Sequence, residues 1–242
     1  MRGIHAQKTN SEIHCMFLLK KSKIVRFASK IIGRCRMLCW RLCRKCRNCV
    51  ARKRLNTRGR NVSILSMNCT GGILSHDLGL QFRSPTINLY MCAEDFIKFC
   101  ENLDHYLAID QFEKCTDKSI IGERTYPVAF LGDLTLFLVH YHSILEAEKK
   151  WNERKKRLDK DNLVILNTDR EGMSESLKER FEYLPYRKVM FTHLPDNHHP
   201  SCFYIRGYEQ EDCVGIITEP HGCFGKRAVD QFDYITFFNT TC

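Results

Sequence analysis

"NVSILSMNCTGGILSHDLGL", residues 61–80, decides the fold. Its first seven residues, "NVSILSM", read as a short apolar strand. Asn68-Cys69-Thr70-Gly71-Gly72 then interrupts the run, and a helical period takes over around residues 72–79. Strand, glycine pair and helix start form the opening unit of an α/β sheet. The same arrangement aims free backbone N–H groups and a positive dipole end at any anion placed there. The spacing is neither G-x-G-x-x-G nor a Walker motif, so neither a dinucleotide fingerprint nor a P-loop follows. Asn68, Thr70, Gly71 and Gly72 are therefore candidate ligand contacts, and a turn serving only the chain path is the alternative.

The chain beyond keeps alternating. "TINLYM" (86–91) reads as a second strand and "AEDFIKFCENLDHYL" (93–107) as a helix with Phe96, Phe99, Cys100, Leu103 and Leu107 on one face. "YPVAFLGDLTLFLVHY" gives two strands separated by Gly132-Asp133, a hairpin-like turn or a bulge. Ser143 and Glu146 form a capping box that opens the helix "SILEAEKKWNERKKRL". The strand "NLVILN", the helix "SESLKERFEYL" and the strands "KVMFT" and "CFYIRGY" follow. Strands separated by helices of this length predict an α/β domain with a mostly parallel sheet and helices on both faces.

In such sheets ligands sit beyond the carboxyl ends of the strands, where the strand order reverses. The residues following each predicted strand are thus the candidates. Asp133 and Asp169 each end a strand beside a turn, which suits a general base or an acceptor for a sugar hydroxyl, and His140 is placed to share that work. Arg170 follows Asp169, and Arg154 lies on the helix after His140; either would balance the charge of a leaving phosphate. Asp77 falls in the first helical turns after the glycine pair, where an acid also suits the dipole alone. "HLPDNHHPSC" (193–202) gathers His193, Asp196, His198, His199 and Cys202, but in a loop-like segment with no fixed ligand spacing, so no metal is expected there.

The net charge of +10 is unevenly spread. Residues 1–60 hold 18 Lys and Arg against one acid, Glu12, whereas residues 61–242 carry a net −7. This divides the chain into a basic arm, 1–60, and a mildly acidic α/β domain, 61–242. In the arm, Ile24, Ala28, Ile31, Cys35, Leu38 and Leu42 recur at helical steps, with Lys23, Arg26, Lys30, Arg34, Arg41 and Arg44 on the other faces. A helix of this kind suits the plane of an anionic membrane, and residues 20–55 are the expected contact. The rivals are a solvated arm, a nucleic-acid arm and a zinc site through Cys43, Cys46 and Cys49. No nucleic acid is expected, because no reader module accompanies the charge. Zinc wants ligands from two segments, and these thiols follow one another along one helix.

Fourteen cysteines without a turn-rich secreted framework predict free thiols in a reducing cytoplasm. "IHCMFLL" is too short for a signal peptide and no run of about 18 apolar residues occurs, so no membrane span is expected.

Together, "NCTGGILSHDLGLQFRSPTINLYM", "DFIKFCENLDHYL", "YPVAFLGDLTLFLVHY", "EAEKKWNERKKR", "DNLVILNTDR" and "LPYRKVMFTHLP" resemble the domain of unknown function 1919, over about residues 60–210. Bacterial members are commonly labelled exopolysaccharide biosynthesis proteins. The resemblance implies a Rossmann-like fold and a setting in capsule or exopolysaccharide synthesis. Asn88 joins the ligand-binding candidates as one of the matching positions, and the family assigns no catalytic role to any of them. The expectation is a glycosyl-type transferase at the inner membrane face, taking a nucleotide sugar as donor and a polysaccharide or lipid-linked acceptor. No tightly bound cofactor is expected, and no D-x-D metal motif of the kind many sugar-nucleotide transferases use is read in the chain, so metal independence is expected. The alternatives are a non-catalytic accessory module of polysaccharide assembly, or an acetyl, phosphoryl or pyruvyl transferase.

Overall fold

The computed structural model describes residues 30, 37–220 and 225–241. Most of the predicted arm stripe (Ile24, Ala28, Ile31, Cys35) lies outside them. Residues 37–54 are helical (α1), followed by the short α2, Thr57–Arg60, whose N-cap Asn56 accepts from the Gly59 N–H. Strand β1, Ser63–Ser66, leads through residues 67–69 into α3, Thr70–Leu78.

Four strands form a parallel sheet. β1 pairs with β5, Leu163–Thr168; β5 pairs with β6, Arg187–Thr192; and β6 pairs with β7, Cys202–Tyr204. Between β1 and β5 the chain builds α4, Ala93–Glu101, and α5, Leu103–Ala108, then a separate antiparallel sheet. That sheet consists of β2, Glu113–Lys114, β3, Val128–Leu131, and β4, Leu134–Phe137, with α6, Lys118–Ile121, lying between β2 and β3. Gly132, at φ +61°, and Asp133 make the two-residue turn of the β3–β4 hairpin. Helix α7, Ile144–Lys155, returns the chain to β5, and α8, Glu175–Tyr183, joins β5 to β6. A 3₁₀ turn, Ala228–Gln231, and α9, Tyr234–Asn239, close the chain.

The period-2 alternation of the strands sorts the core into two layers. Leu65, Met67, Leu163, Ile165 and Met190 face a layer with Phe96 and Phe99 of α4, Trp151 of α7 and Phe181 of α8. Ile64, Val164, Leu166, Val189 and Phe191 face the other, with Leu74 and Leu78 of α3 and Ile235 and Phe238 of α9. The parallel sheet is thus covered on both faces, which is why every residue of β5 is buried.

Three elements depart from the sequence reading. "TINLYM" is not a strand: residues 85–88 turn, Asn88 sits at φ +71°, and only Tyr90 bridges to Phe137. The left-handed residue breaks the extended run, and the segment reaches β1 instead through Thr86 Oγ1, which accepts from Ser66 N–H, and through Met91 N–H, which donates to Met67 O. The helix over 93–107 is broken at Asn102, which ends α4 and precedes α5. At α7, Ser143 Oγ accepts from Glu146 N–H as predicted, but Glu146 Oε2 accepts from His142 N–H rather than from Ser143.

The sheet order β1-β5-β6-β7 contains no reversal among the described strands. The connections nevertheless diverge at β1. The chain leaves it toward segment 84–91 on one side and re-enters the sheet as β5 on the other. That divergence opens a crevice at the carboxyl end of β1.

Candidate functional site

Asn68 shapes the mouth of that crevice. Its Oδ1 accepts the Thr70 N–H at 3.0 Å, satisfying the first orphan donor of α3. Its Nδ2 donates to Thr168 Oγ1 across the carboxyl ends of β1 and β5 at 3.4 Å. No described group accepts from the next two N–H groups, those of Gly71 and Gly72. The glycines have a packing reason of their own. A Cβ on Gly71 would stand 2.8 Å from Ser66 Cβ and 3.0 Å from Ile64 Cγ2, and one on Gly72 3.2 Å from Ile87 Cγ2. They let α3 lie against β1 and segment 84–91, and leave two N–H groups pointing out of the helix end. Gly71→Ala is expected to lose about 1–3 kcal/mol in urea unfolding through overpacking. The alanine keeps its N–H, so ligand affinity in the folded protein should stay within about twofold.

A cavity of about 560 Å³ opens over this helix end. Its floor is Asn68, Cys69, Thr70 and Ile73 of the β1–α3 unit. One wall is Tyr90, Tyr126, Val139 and His140 from the flank of the antiparallel sheet. Arg170 and Glu171 close it from the end of β5, and residues 215–220 form the last wall. Thr70 is only 5% exposed, and its hydroxyl takes no protein partner; the Thr218 hydroxyl on the opposite wall is likewise unpartnered. Tyr90 stacks on Phe137 with centroids 4.5 Å apart and shares a 3.2 Å hydrogen bond with the Tyr126 hydroxyl. Burial, then that neighbouring hydroxyl, pushes Tyr90 up to about 12, so it enters the cleft as a neutral donor. The His140 ring has no protein partner, while the His140 backbone N–H donates to Asn88 O. Arg170 is the permanent cation among the lining residues, 3.8 Å from Glu171.

Asn68, Thr70, His140 and Arg170 thus meet around one cavity. The other candidates are placed elsewhere. Asp169 lies just behind the lining, 7% exposed. Its Oδ2 accepts from His193 N–H at 2.7 Å and meets His193 Nδ1 at 2.6 Å, and its Oδ1 accepts from Val214 N–H at 2.8 Å. Its oxygens are engaged in holding Val214, which leads into the 215–220 wall, to the β5 and β6 ends. Asp133 is on the hairpin tip, 62% exposed, bonded to Lys98 and to the Tyr106 hydroxyl. These two partners hold its carboxyl below the usual range. Arg154 is buried, donating to Ile87 O and Tyr141 Oη, and so secures segment 84–91. Asn88 supplies the left-handed turn of that segment. Asp77 faces away from the cavity and binds Arg44 of α1 and Arg227. Arg44, placed by the sequence pattern on the cationic face of the arm, is instead tied into this network with Asp230.

Tyr90, Tyr126, Glu171, Thr218 and Glu219 went unread in the sequence. The run "VGIITEP" (214–220), an apolar stretch with Gly before it and Thr-Glu-Pro after, was the available signal for the last wall. The chain does contain one D-x-D spacing, Asp159-Lys160-Asp161, but it precedes β5, at the amino end of the sheet. There Asp159 Oδ1 accepts the Asp161 N–H in a turn. Among the described residues Asp196, His199 and Cys202 bring metal-ligating atoms within 4.8 Å of one another. The Asp196 oxygens are taken by Lys178, by His199 Nδ1 and by the N–H groups of His198 and His199. Burial and then Asp196 push the Cys202 thiol up to about 12. Protein donors therefore already fill the places a cation would take, and the cluster reads as a structural one. All ten described cysteines are free thiols, and no helix among the described residues is long and apolar enough to cross a membrane.

A parallel α/β sheet carrying a small-molecule-sized cleft at its carboxyl edge defines the class. A family model, described as domain of unknown function (DUF1919), matches residues 40–239, and the chain belongs to that family. The match takes in α1 from residue 40 and runs to the end of α9. The chain is also 40% identical over 193 residues, 79% of its own length and 90% of the relative's, to an uncharacterized protein of Haemophilus influenzae.

Proposed function

We propose that the cleft binds a phosphate-bearing donor, a nucleotide sugar, and that the protein is a glycosyl-type transferase of exopolysaccharide or capsule synthesis. On this reading the sheet serves as a Rossmann-like platform and the acceptor is a polysaccharide or lipid-linked glycan at the inner face of the cell membrane. The observation that carries it is the convergence of an open helix end, the unpartnered Thr70 hydroxyl and Arg170 on one cavity. The donor diphosphate takes the N–H groups of Gly71 and Gly72, with Arg170 opposite. Tyr90 and Tyr126 offer an aromatic and hydroxyl surface to the sugar. The acceptor hydroxyl attacks the anomeric carbon and gives its proton to His140. The bond from that carbon to the diphosphate breaks, and Arg170 with the α3 dipole stabilises the departing charge.

The test is a thermal-shift panel on the whole chain with nucleotide sugars, bare nucleotides, acetyl-CoA and phosphoenolpyruvate, each with and without manganese. A nucleotide sugar at a hundred times its dissociation constant should stabilise the protein by roughly 2.7 kcal/mol. A shift confined to acetyl-CoA or phosphoenolpyruvate would replace glycosyl transfer by acyl or enolpyruvyl chemistry. No shift with any of them would remove the transferase reading.

A further inference from the structure

Helix α1 sorts its side chains by direction. Trp40, Arg44, Arg47 and Ala51, at steps of three and four, face the domain. Trp40 and Arg44 abut Gly225, Arg44 and Arg47 reach Asp230, and Ala51 packs on the α3–α9 layer. Arg52 and Arg54 are also engaged, with Asp77 O and Asp233. The opposite face carries Leu38, Leu42, Cys46 and Cys49, flanked by Val50; Leu38, Leu42 and Val50 are 61%, 56% and 61% exposed. Cysteine thiols act here as small apolar groups. Arg41, Lys45 and Lys53 stand exposed along this outer side, and no described carboxylate pairs with them. No Asp or Glu occurs between Glu12 and Asp77, so the helix's own side chains carry one sign of charge.

We propose that the outer face of α1 is the surface that meets an anionic lipid bilayer, with Leu38 and Leu42 entering the headgroup boundary and Arg41, Lys45 and Lys53 pairing with lipid phosphates. The inference deepens the membrane-face part of the proposed function and is independent of the chemistry of the cleft. Charge complementarity argues for an anionic bilayer: an apolar seam edged only by cations gains from buried area and from surface potential together. A partner domain with a neutral apolar groove would leave the three cations unused. Duplex nucleic acid would leave the leucines unused.

The experiment is co-sedimentation of the full chain with vesicles of phosphatidylcholine alone and with about a third phosphatidylglycerol. Binding is expected only to the anionic vesicles, and it should weaken at high salt. Each of Arg41→Gln, Lys45→Gln and Lys53→Gln should weaken it by about fivefold, the equivalent of about 1 kcal/mol per basic residue near an anionic surface. Leu38→Glu combined with Leu42→Glu should abolish it. These positions are exposed, so circular dichroism and the urea midpoint should stay at wild-type values. Three results would overturn the surface: no pelleting of folded wild-type protein, pelleting that the leucine pair does not affect, or concentration-dependent self-association lost in that pair. A nucleotide-sugar thermal shift on the same preparations separates the two readings, since the cleft lies away from these residues. An intact shift without vesicle binding would remove the surface alone.

Discussion

Asp169→Ala is expected to cost roughly 3 kcal/mol of stability and to lower donor affinity at least tenfold. One buried carboxylate accepts two backbone N–H groups and meets the His193 ring. Removing it leaves those donors without their acceptor, and a stranded buried donor costs about 1–3 kcal/mol. The second effect follows from what these donors anchor. Val214 leads directly into the 215–220 wall, and Arg170 is the residue after Asp169 in the chain. Asp169→Asn keeps one acceptor oxygen and should fall between the two in both urea unfolding and calorimetric titration. A base acting directly on substrate would behave otherwise: Asn would then be as inactive as Ala while stability and binding stayed near wild type.

Asp77→Ala is expected to cost about 3 kcal/mol as well, with no change in donor affinity. Asp77 Oδ2 receives Arg44 at 3.1 Å and also Arg227, whose side chain is 6% exposed. Breaking a buried pair strands the surviving charge, at about 3–5 kcal/mol when fully buried. The lower figure applies because Asp77 and Arg44 keep some solvent and Arg44 retains Asp230. Since Arg44 belongs to α1, amide hydrogen exchange should accelerate along residues 41–52 more than in β5. Unchanged exchange in α1 would show that the ion pairs do not fasten it.

The strand–glycine–helix unit at 61–80 was legible because its signals agree. An apolar run, a glycine pair and a change of period all point to β1 followed by α3, and both form. The Ser143 N-cap of α7 and the Gly132-Asp133 hairpin were legible for the same local reason. Segment 86–91 was not, because its extended-looking composition is overruled by one left-handed residue, Asn88, held by tertiary contacts. Of the candidates placed at strand ends, Asn68, Thr70, His140 and Arg170 line one cavity. Their placement did not show which way each side chain turns. Asp169 and Arg170 are neighbours, and the first points back into the scaffold while the second reaches the cleft. Asp133 ends a strand of a second sheet whose hairpin tip lies outside the cleft, a distinction that depends on pairing between distant segments. Arg44 and Asp77 are 33 residues apart, and charge mapping along the chain separates what the fold joins.

The cleft over the start of α3 is proposed to take a phosphate-bearing donor. Isothermal titration of the whole chain with a nucleotide sugar, beside Arg170→Ala and Thr70→Val, tests this proposal most directly. One site is expected, weakened at least tenfold by Arg170→Ala and by about threefold to tenfold by Thr70→Val, with both variants as stable as wild type. Equal affinity in all three proteins, or no heat with any nucleotide sugar at millimolar concentration, would contradict it.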